Sequence, residues 1–321
     1  MLTLFRWVWA LGSIPFLSLT VAFALSTPLQ PIHYFCTKNA AGIGTCAVEV
    51  KESDGNDMHR SFVFSSDTGE KVHARIRELS FGEGGFGATV WGSAISMASW
   101  VVQNRAMFAG KSCLELGAGC GLTGLACKLA APSCQVTLSD FSAEDDEERF
   151  SRNTVAPLEA LSNLVYNTGL NNLRLSEESG LLVRRLDWHD CVDKGAADQA
   201  PKPRQRRFPD LDPSTQFDIL LAAECVYHDN DIVPLSSTLA RHLKPGGTCY
   251  FLSKRDRNGL DNFLETLGNA DGELATENIE FKGYTKEELC FFIYTAPPHR
   301  QKVDNKAIKW CWCSCLLFHA P

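Results

Sequence analysis

The sequence predicts an α/β fold: a mainly parallel sheet with helices on both faces, preceded by a β-hairpin. Three observations predict it. From Ser112 onward, short apolar runs alternate with segments whose apolar residues recur at helical spacing. That alternation requires crossovers that cover a parallel sheet on both sides. The first run passes into LELGAGCGLTG, residues 114–124, a glycine-rich turn from strand to helix. Ahead of it, SFVFSSDTGEKVHARIREL alternates apolar and polar residues around Asp67-Thr68-Gly69, which is a hairpin signal.

The elements follow in order. Between Trp7 and Thr37 there is no Asp, Glu, Lys or Arg, and Arg6 precedes the apolar run WVWALGSIPFLSLTVAFAL. A positive start, an apolar middle and a small-residue exit are the layout of a signal peptide. The run is also about long enough to span a bilayer. Residues 1–25 are therefore read as a signal peptide or a membrane anchor, and 26–59 as a transit or linker segment. The Ser/Thr-rich, acid-free start of that segment resembles a plastid transit sequence reached through the secretory route. Endomembrane or anchored placement is the alternative, and the cytoplasm if the leader is a misassigned start.

Residues 60–298 are read as one domain. After the hairpin, FGEGGFGA (81–88) is a flexible loop, and TVWGSAISMASWVVQNRAMF is a helix carrying Val90, Ile95, Met97, Ala98, Val101 and Val102 at helical spacing. SCLELGAG is a buried strand, LTGLACKLAA a helix and CQVTLSD a second strand. LEALSNLVYNTGL is a helix stopped at Gly169; its Asn163 and Asn167 read as solvated or capping. LLVRRLDW and FDILLAAECVY are the third and fourth strands, and LKPGG (243–247) is a helix exit before the fifth strand, TCYFLSK. DNFLETLG is a helix and ELCFFIYTA the closing strand. The acidic 143–154 and the Pro- and charge-rich 192–215 read as solvated insertions, and 299–321 is a tail with Cys311, Cys313 and Cys315 at alternate positions.

Composition bounds the function. The chain has 321 residues, 45 % apolar and 21 % charged, ordinary for a globular protein. Its net charge of -7 argues against a dedicated nucleic-acid binder, which carries a basic face. There are 13 cysteines, an odd number without a C-x-x-C pair, and most lie inside apolar runs. They read as reduced, buried thiols, with no metal expected. The seven-residue spacing of Cys113, Cys120, Cys127 and Cys134 crosses a strand, a loop and a helix, and reads as coincidence.

The glycine turn admits two ligands. Gly119-x-Gly121-x-x-Gly124 fits the dinucleotide fingerprint, and Glu115-x-Gly117-x-Gly119-x-Gly121 fits a loop that holds S-adenosylmethionine. Asp140, at the end of the second strand, suits ribose hydroxyls in either case. Other features favour the methyl donor. Glu115 would repel a pyrophosphate but suits an ammonium group; a charge pair at 4 Å is worth about 4 kcal/mol at an effective dielectric of about 20, before desolvation. Asp187 can accept from an adenine amine and Trp188 can stack on its ring. Glu224 and Tyr227 sit three apart at the carboxyl edge of the sheet, where ligands bind in open α/β folds.

The ordered run VWGSAISMASWV, CLELGAGCGLTGLA, VTLSD, LSNLVYN, LDW, FDILLAAECVY, LKPGG resembles the seven-strand methyltransferases of the lysine-specific methyltransferase-like 21 group, over roughly residues 60–298. The resemblance implies a Rossmann-like seven-strand sheet with an antiparallel last strand, S-adenosylmethionine as donor and a protein lysine as acceptor. It implies donor contacts at Trp91, Glu115, Gly117, Gly119, Gly121, Asp140, Asp187, Trp188 and Ala223. It places the acid-x-x-aromatic motif on Glu224 and Tyr227, where Glu stands for the more frequent Asp. These two are the candidate catalytic residues, orienting the acceptor amine and walling its channel. A monomer is expected, with membrane contact only through an uncleaved leader. A methyltransferase acting on a small molecule or on protein histidine, and a catalytically silent interaction module, are the competing readings.

Overall fold

A computed structural model describes residues 32–38, 42–52, 58–66, 68–80, 85–142, 160–191, 207–226, 228–268, 273–277, 280–282 and 289–298. The leader, the acidic 143–154, residues 192–206 of the proline-rich loop, the cysteine tail and Tyr227 lie outside the described residues. Among the described residues, no helix is long and apolar enough to cross a membrane.

The first four strands are β1 (Ile32–Lys38), β2 (Gly42–Glu52), β3 (Met58–Ser65) and β4 (Lys71–Glu78), all antiparallel. β3 and β4 are the hairpin read from the sequence. The stretch read as transit or linker thus contributes β1 and β2, and β11 (Glu280–Lys282) pairs with β1 to close a five-stranded sheet. Phe62, Phe64, Val72, Ala74 and Ile76 alternate along β3 and β4 and are buried. They pack with α1 (Gly92–Gln103), whose Met97, Val101 and Val102 join the same core.

The second sheet holds the site. It is built from β5 (Ser112–Leu116), β6 (Gln135–Asp140), β7 (Leu181–Arg185), β8 (Phe217–Ala223), β9 (Leu243–Lys254), β10 (Glu273–Glu277) and β12 (Leu289–Thr295). Their order is β10-β12-β9-β8-β5-β6-β7. β5 to β9 pair in parallel, and the last strand, β12, runs antiparallel between β9 and β10, as the resemblance implied. The crossovers carry α2 (Leu122–Ala130), α3 (Ala160–Leu170), α4 (Ile232–His242) and α5 (Leu260–Gly268).

Both faces are covered, which is why the strands read as unbroken apolar runs. On β8, Ile219 and Leu221 face the core shared with α1 and α2, while Leu220 and Ala222 face the core shared with α4 and α5. Phe251 on β9 lies against Phe263 of α5, ring centroids 4.9 Å apart. Trp100 of α1 lies 4.6 Å from Tyr250 and 4.9 Å from Phe291 on the other face. Burying side chains of this size contributes about 1.5–3 kcal/mol each.

Three details differ from the sequence reading. Asn163 and Asn167 are neither solvated nor capping; they are buried on α3 and, with Asn171 in the turn just past its end, form a ladder at four-residue spacing. Asn167 Oδ1 accepts from the Arg77 amide at 2.8 Å and Asn171 Oδ1 from the Arg75 amide at 2.8 Å. Their amide groups, and that of Asn163, donate back to the carbonyls of Arg77 and Arg75. The free edge of β4 is thus closed by side-chain amides instead of another strand, which satisfies backbone groups that would otherwise pair with a neighbouring chain. LKPGG does leave α4, with Leu243 as the helix C-cap, but it is itself the first part of β9 and not a separate segment ahead of the strand. Finally, the cysteine spacing has a packing outcome: Cys113, Cys127 and Cys134 meet in one core as free, buried thiols, with Cys127 and Cys134 sulfurs 3.9 Å apart.

Candidate active site

The carboxyl ends of β5, β6, β7 and β8 surround a cavity of about 390 Å³. Its floor is the turn from β5 into α2. Gly121 begins α2 with φ +82, a left-handed conformation that disfavours any side chain, and a Cβ there would lie 2.6 Å from Leu164. Gly124, one turn on, lets the helix approach the sheet: a Cβ would lie 2.3 Å from Leu138 and 2.6 Å from the Glu115 carboxylate.

Glu115 stands on the cavity wall, 4 % exposed, and its Oε2 accepts from the Gly124 amide at 2.8 Å. Burial pushes its carboxyl up to about 8, against the opposing pull of the Gly124 amide and the Thr123 hydroxyl. It caps the first turn of α2 and faces the cavity at once. Asp140, at the end of β6, is held at both oxygens: Oδ2 accepts from Gly119 N–H at 2.6 Å and Oδ1 from Phe141 N–H at 2.7 Å. Burial raises its pKa as well, although both amide bonds oppose the shift.

Beyond β7 the chain turns through Asp187 and Trp188. Asp187 Oδ1 accepts from the His189 amide at 3.0 Å, and its Oδ2 lies 3.9 Å from the Arg185 guanidinium. Arg185 is itself buried and bound to Asp190 and Asp210, both at 3.2 Å. Trp188 lies against the glycine turn; a Cβ on Gly117 would sit 3.4 Å from its ring. Ala223 closes the wall at the end of β8, and Trp91 forms the opposite rim. Trp91 is 40 % exposed, immediately ahead of α1, and its Nε1–H donates to the Phe86 carbonyl at 2.9 Å.

The structure therefore gathers Trp91, Glu115, Gly117, Gly119, Gly121, Asp140, Asp187, Trp188 and Ala223 around one cavity. Glu224 is placed elsewhere. It is 2 % exposed, is not part of the cavity wall, and holds φ +57. Its Oε1 accepts from the Lys254 amide at 2.7 Å and its Oε2 from Arg257 Nε at 2.9 Å and from Arg257 Nη2. His228, which follows the same motif, is exposed and lines the cavity mouth.

Sequence reasoning missed three features. Phe86, 55 % exposed, stands on the rim beside Trp91; its signal is a lone aromatic among glycines. Glu78, buried at the end of β4, accepts from the Val90 amide at 2.6 Å and from Arg60 at 3.1 Å. It ties the hairpin to the rim. His189 and Asp231, 3.3 Å apart, both line the cavity, and no local pattern joins residues 42 positions apart.

The donor set discriminates between the two ligands. A pyrophosphate on a glycine turn needs free amides at the helix start and no nearby anion. Here the Gly119 and Gly124 amides already donate to the Asp140 and Glu115 carboxyl groups and are not free for a phosphate. The arrangement suits a ligand with a cationic end, a ribose and a flat base. A family model described as lysine methyltransferase matches residues 71–199 and 204–270, more than half the chain. The chain belongs to this lysine methyltransferase family. Among its relatives, the protein-lysine N-methyltransferase EEF2KMT of Bos taurus is 27 % identical, covering 78 % of this chain and 65 % of its own length. The Homo sapiens EEF2KMT is 28 % identical over 57 % of this chain and 48 % of its own. The protein N-lysine methyltransferase METTL21A of Danio rerio is 27 % identical over 57 % of this chain and 67 % of its own. The chain thus spans less than two thirds of the two EEF2KMT relatives.

Proposed function

We propose that this protein is an S-adenosylmethionine-dependent protein-lysine N-methyltransferase. The observation that carries the reading is the capture of the Gly119 and Gly124 amides by Asp140 and Glu115, which leaves a carboxyl-lined turn suited to an ammonium and a diol but not to a pyrophosphate. Membership of the lysine methyltransferase family and the names of the relatives support the acceptor.

In this reading Glu115 holds the ammonium end of the donor, Asp140 accepts from the ribose hydroxyls, and Asp187 and Trp188 receive the adenine by hydrogen bond and stacking. The donor supplies an already activated methyl group when bound. The protein's work is then alignment, which alone contributes about 7–11 kcal/mol in well-oriented systems. The acceptor amine must be neutral. A free lysine has a pKa of about 10.4, so it arrives protonated. An apolar rim disfavours the ammonium, whose proton passes to solvent water at the cavity mouth before transfer, and Phe86 and Trp91 supply such a rim. Glu224 acts from behind the wall as a positioning residue for the chain that leaves β8 toward Tyr227, the proposed channel aromatic.

Calorimetric titration tests the donor: S-adenosylmethionine should bind and NAD should not. Transfer of labelled methyl from S-adenosylmethionine into proteins of a lysate, with the modified side chain read by mass spectrometry, tests the acceptor. Label on histidine or on small molecules alone would overturn the lysine assignment.

A further inference from the structure

β4 carries Lys71, His73, Arg75 and Arg77 at every second position, the spacing that places side chains on one face of a strand. The intervening Val72, Ala74 and Ile76 are buried, while Lys71, His73 and Arg75 are exposed. His59 on β3 stands opposite Arg77 in the register. From Lys71 to Arg77 the stripe runs about 20 Å at about 3.4 Å per residue. Lys71, His73 and Arg75 make no ion pair among the described residues, and the hydrogen bonds of Arg75 are those of its backbone to Asn171.

Protection of a sheet edge is the usual reason for charge on such a strand. Here the edge is already closed at Arg75 and Arg77 by the asparagine ladder, so the charges are not needed for that. The stripe is also a local reversal of sign in a chain of net charge -7. And it leads to the site. Arg77 is stacked 3.7 Å from the Tyr166 ring centroid, and the next residue, Glu78, holds the Val90 amide on the cavity wall.

We propose that this cationic stripe on β4 docks an acidic, extended segment of the protein substrate beside the acceptor lysine. The inference rests on the protein-methyltransferase reading and names the chemistry of the partner. A polypeptide fits better than a nucleic acid. About six extended residues match the stripe's length. The acceptor in the proposed reaction is a protein side chain, so an acidic stretch of that same polypeptide is the polyanion brought to the stripe during methylation.

The test is fluorescence anisotropy with a labelled octaglutamate peptide and the full chain. Wild-type protein should bind, and binding should weaken between 50 and 300 mM salt. The triple variant Lys71→Thr/His73→Thr/Arg75→Thr should lose at least about tenfold in affinity while its calorimetric affinity for S-adenosylmethionine stays within about twofold. Equal peptide binding by the variant would overturn the proposal, as would tighter binding of a labelled octauridylate than of the peptide. The donor titration separates the two readings: wild-type protein that holds the peptide through the stripe but ignores the donor keeps the docking surface and removes the methyl-transfer assignment.

Discussion

Arg257 donates through both Nε and Nη2 to a single carboxylate oxygen of Glu224, while the other oxygen takes the Lys254 amide. The Glu224 side chain is 3 % exposed and that of Arg257 27 %. A buried carboxylate deprived of its cation costs more than a cation left at the surface, and removing one partner of a buried pair typically costs about 3–5 kcal/mol. Arg257 is partly solvated, so a smaller loss applies. We expect Arg257→Ala to destabilise the protein by about 2–3 kcal/mol, and Glu224→Gln, which keeps an acceptor for Lys254, by about 1 kcal/mol. Thermal unfolding should show this order. Donor affinity should stay within about threefold in both, since neither side chain lines the cavity; a tenfold loss would place Glu224 in the donor site.

Glu115 makes stability and binding depend on pH. Its pKa is raised to about 8 by burial, from about 4.3 in an unfolded chain. Below the lower value both states are protonated and nothing is lost. As pH rises from about 4.3 to about 8, the unfolded chain gives up this proton while the fold keeps it, so stability falls; above about 8 both states are ionised and the loss is complete. Glu115→Gln should therefore unfold at a higher temperature than wild-type protein at pH 9 and at about the same temperature at pH 4. An ammonium ligand reverses the preference and favours the ionised form. Donor binding at pH 7 should then release most of one proton, read as a difference in calorimetric enthalpy between phosphate and Tris buffers. Absence of release would mean that Glu115 only caps α2.

The parts legible in sequence are those whose partners are close along the chain. β5, the glycine turn and α2 form one continuous run, and the periodicity and the glycines carry enough information to place Glu115, Gly117, Gly119 and Gly121. Asp140 follows from the length of one βαβ unit. The rest depends on partners distant in sequence. Asn163 and Asn167 look like solvated helix residues because their partner, the edge of β4, is 86 and 90 positions away. His189 meets Asp231 only because α4 brings its first turn to the end of β7. β10, with the sequence ELATE, carries helix-forming residues and is a strand through its pairing with β12.

Asn167 serves the ladder and the site together. Its Oδ1 accepts from the Arg77 amide, and its Nδ2 donates to the carbonyls of Arg77 and Cys120. Asn167→Ala leaves buried backbone groups unpaired, each costing about 1–3 kcal/mol. We expect a loss of about 3 kcal/mol and faster hydrogen exchange at the Arg77 amide than at the central amides of β3. Asn167→Asp keeps the acceptor but loses both donations, so it should not restore stability. Unchanged exchange at Arg77 would show that water replaces the side chain.

Gly124 tests whether helix approach sets the donor pocket. Its φ is not left-handed, so alanine is allowed by the backbone, and the obstacle is space: the added methyl would meet Leu138 at 2.3 Å and the Glu115 carboxylate at 2.6 Å. Both are side-chain atoms and both must move. Overpacking of this kind costs about 1–3 kcal/mol. Moving Glu115 also frees the Gly124 amide and displaces the carboxylate proposed to hold the donor's ammonium. Gly124→Ala should therefore weaken S-adenosylmethionine binding by at least about tenfold. Adding Leu138→Ala should recover part of the donor affinity, since it makes room for the methyl on the strand side. If the double variant binds no better than Gly124→Ala alone, the displaced carboxylate rather than the crowded strand accounts for the loss.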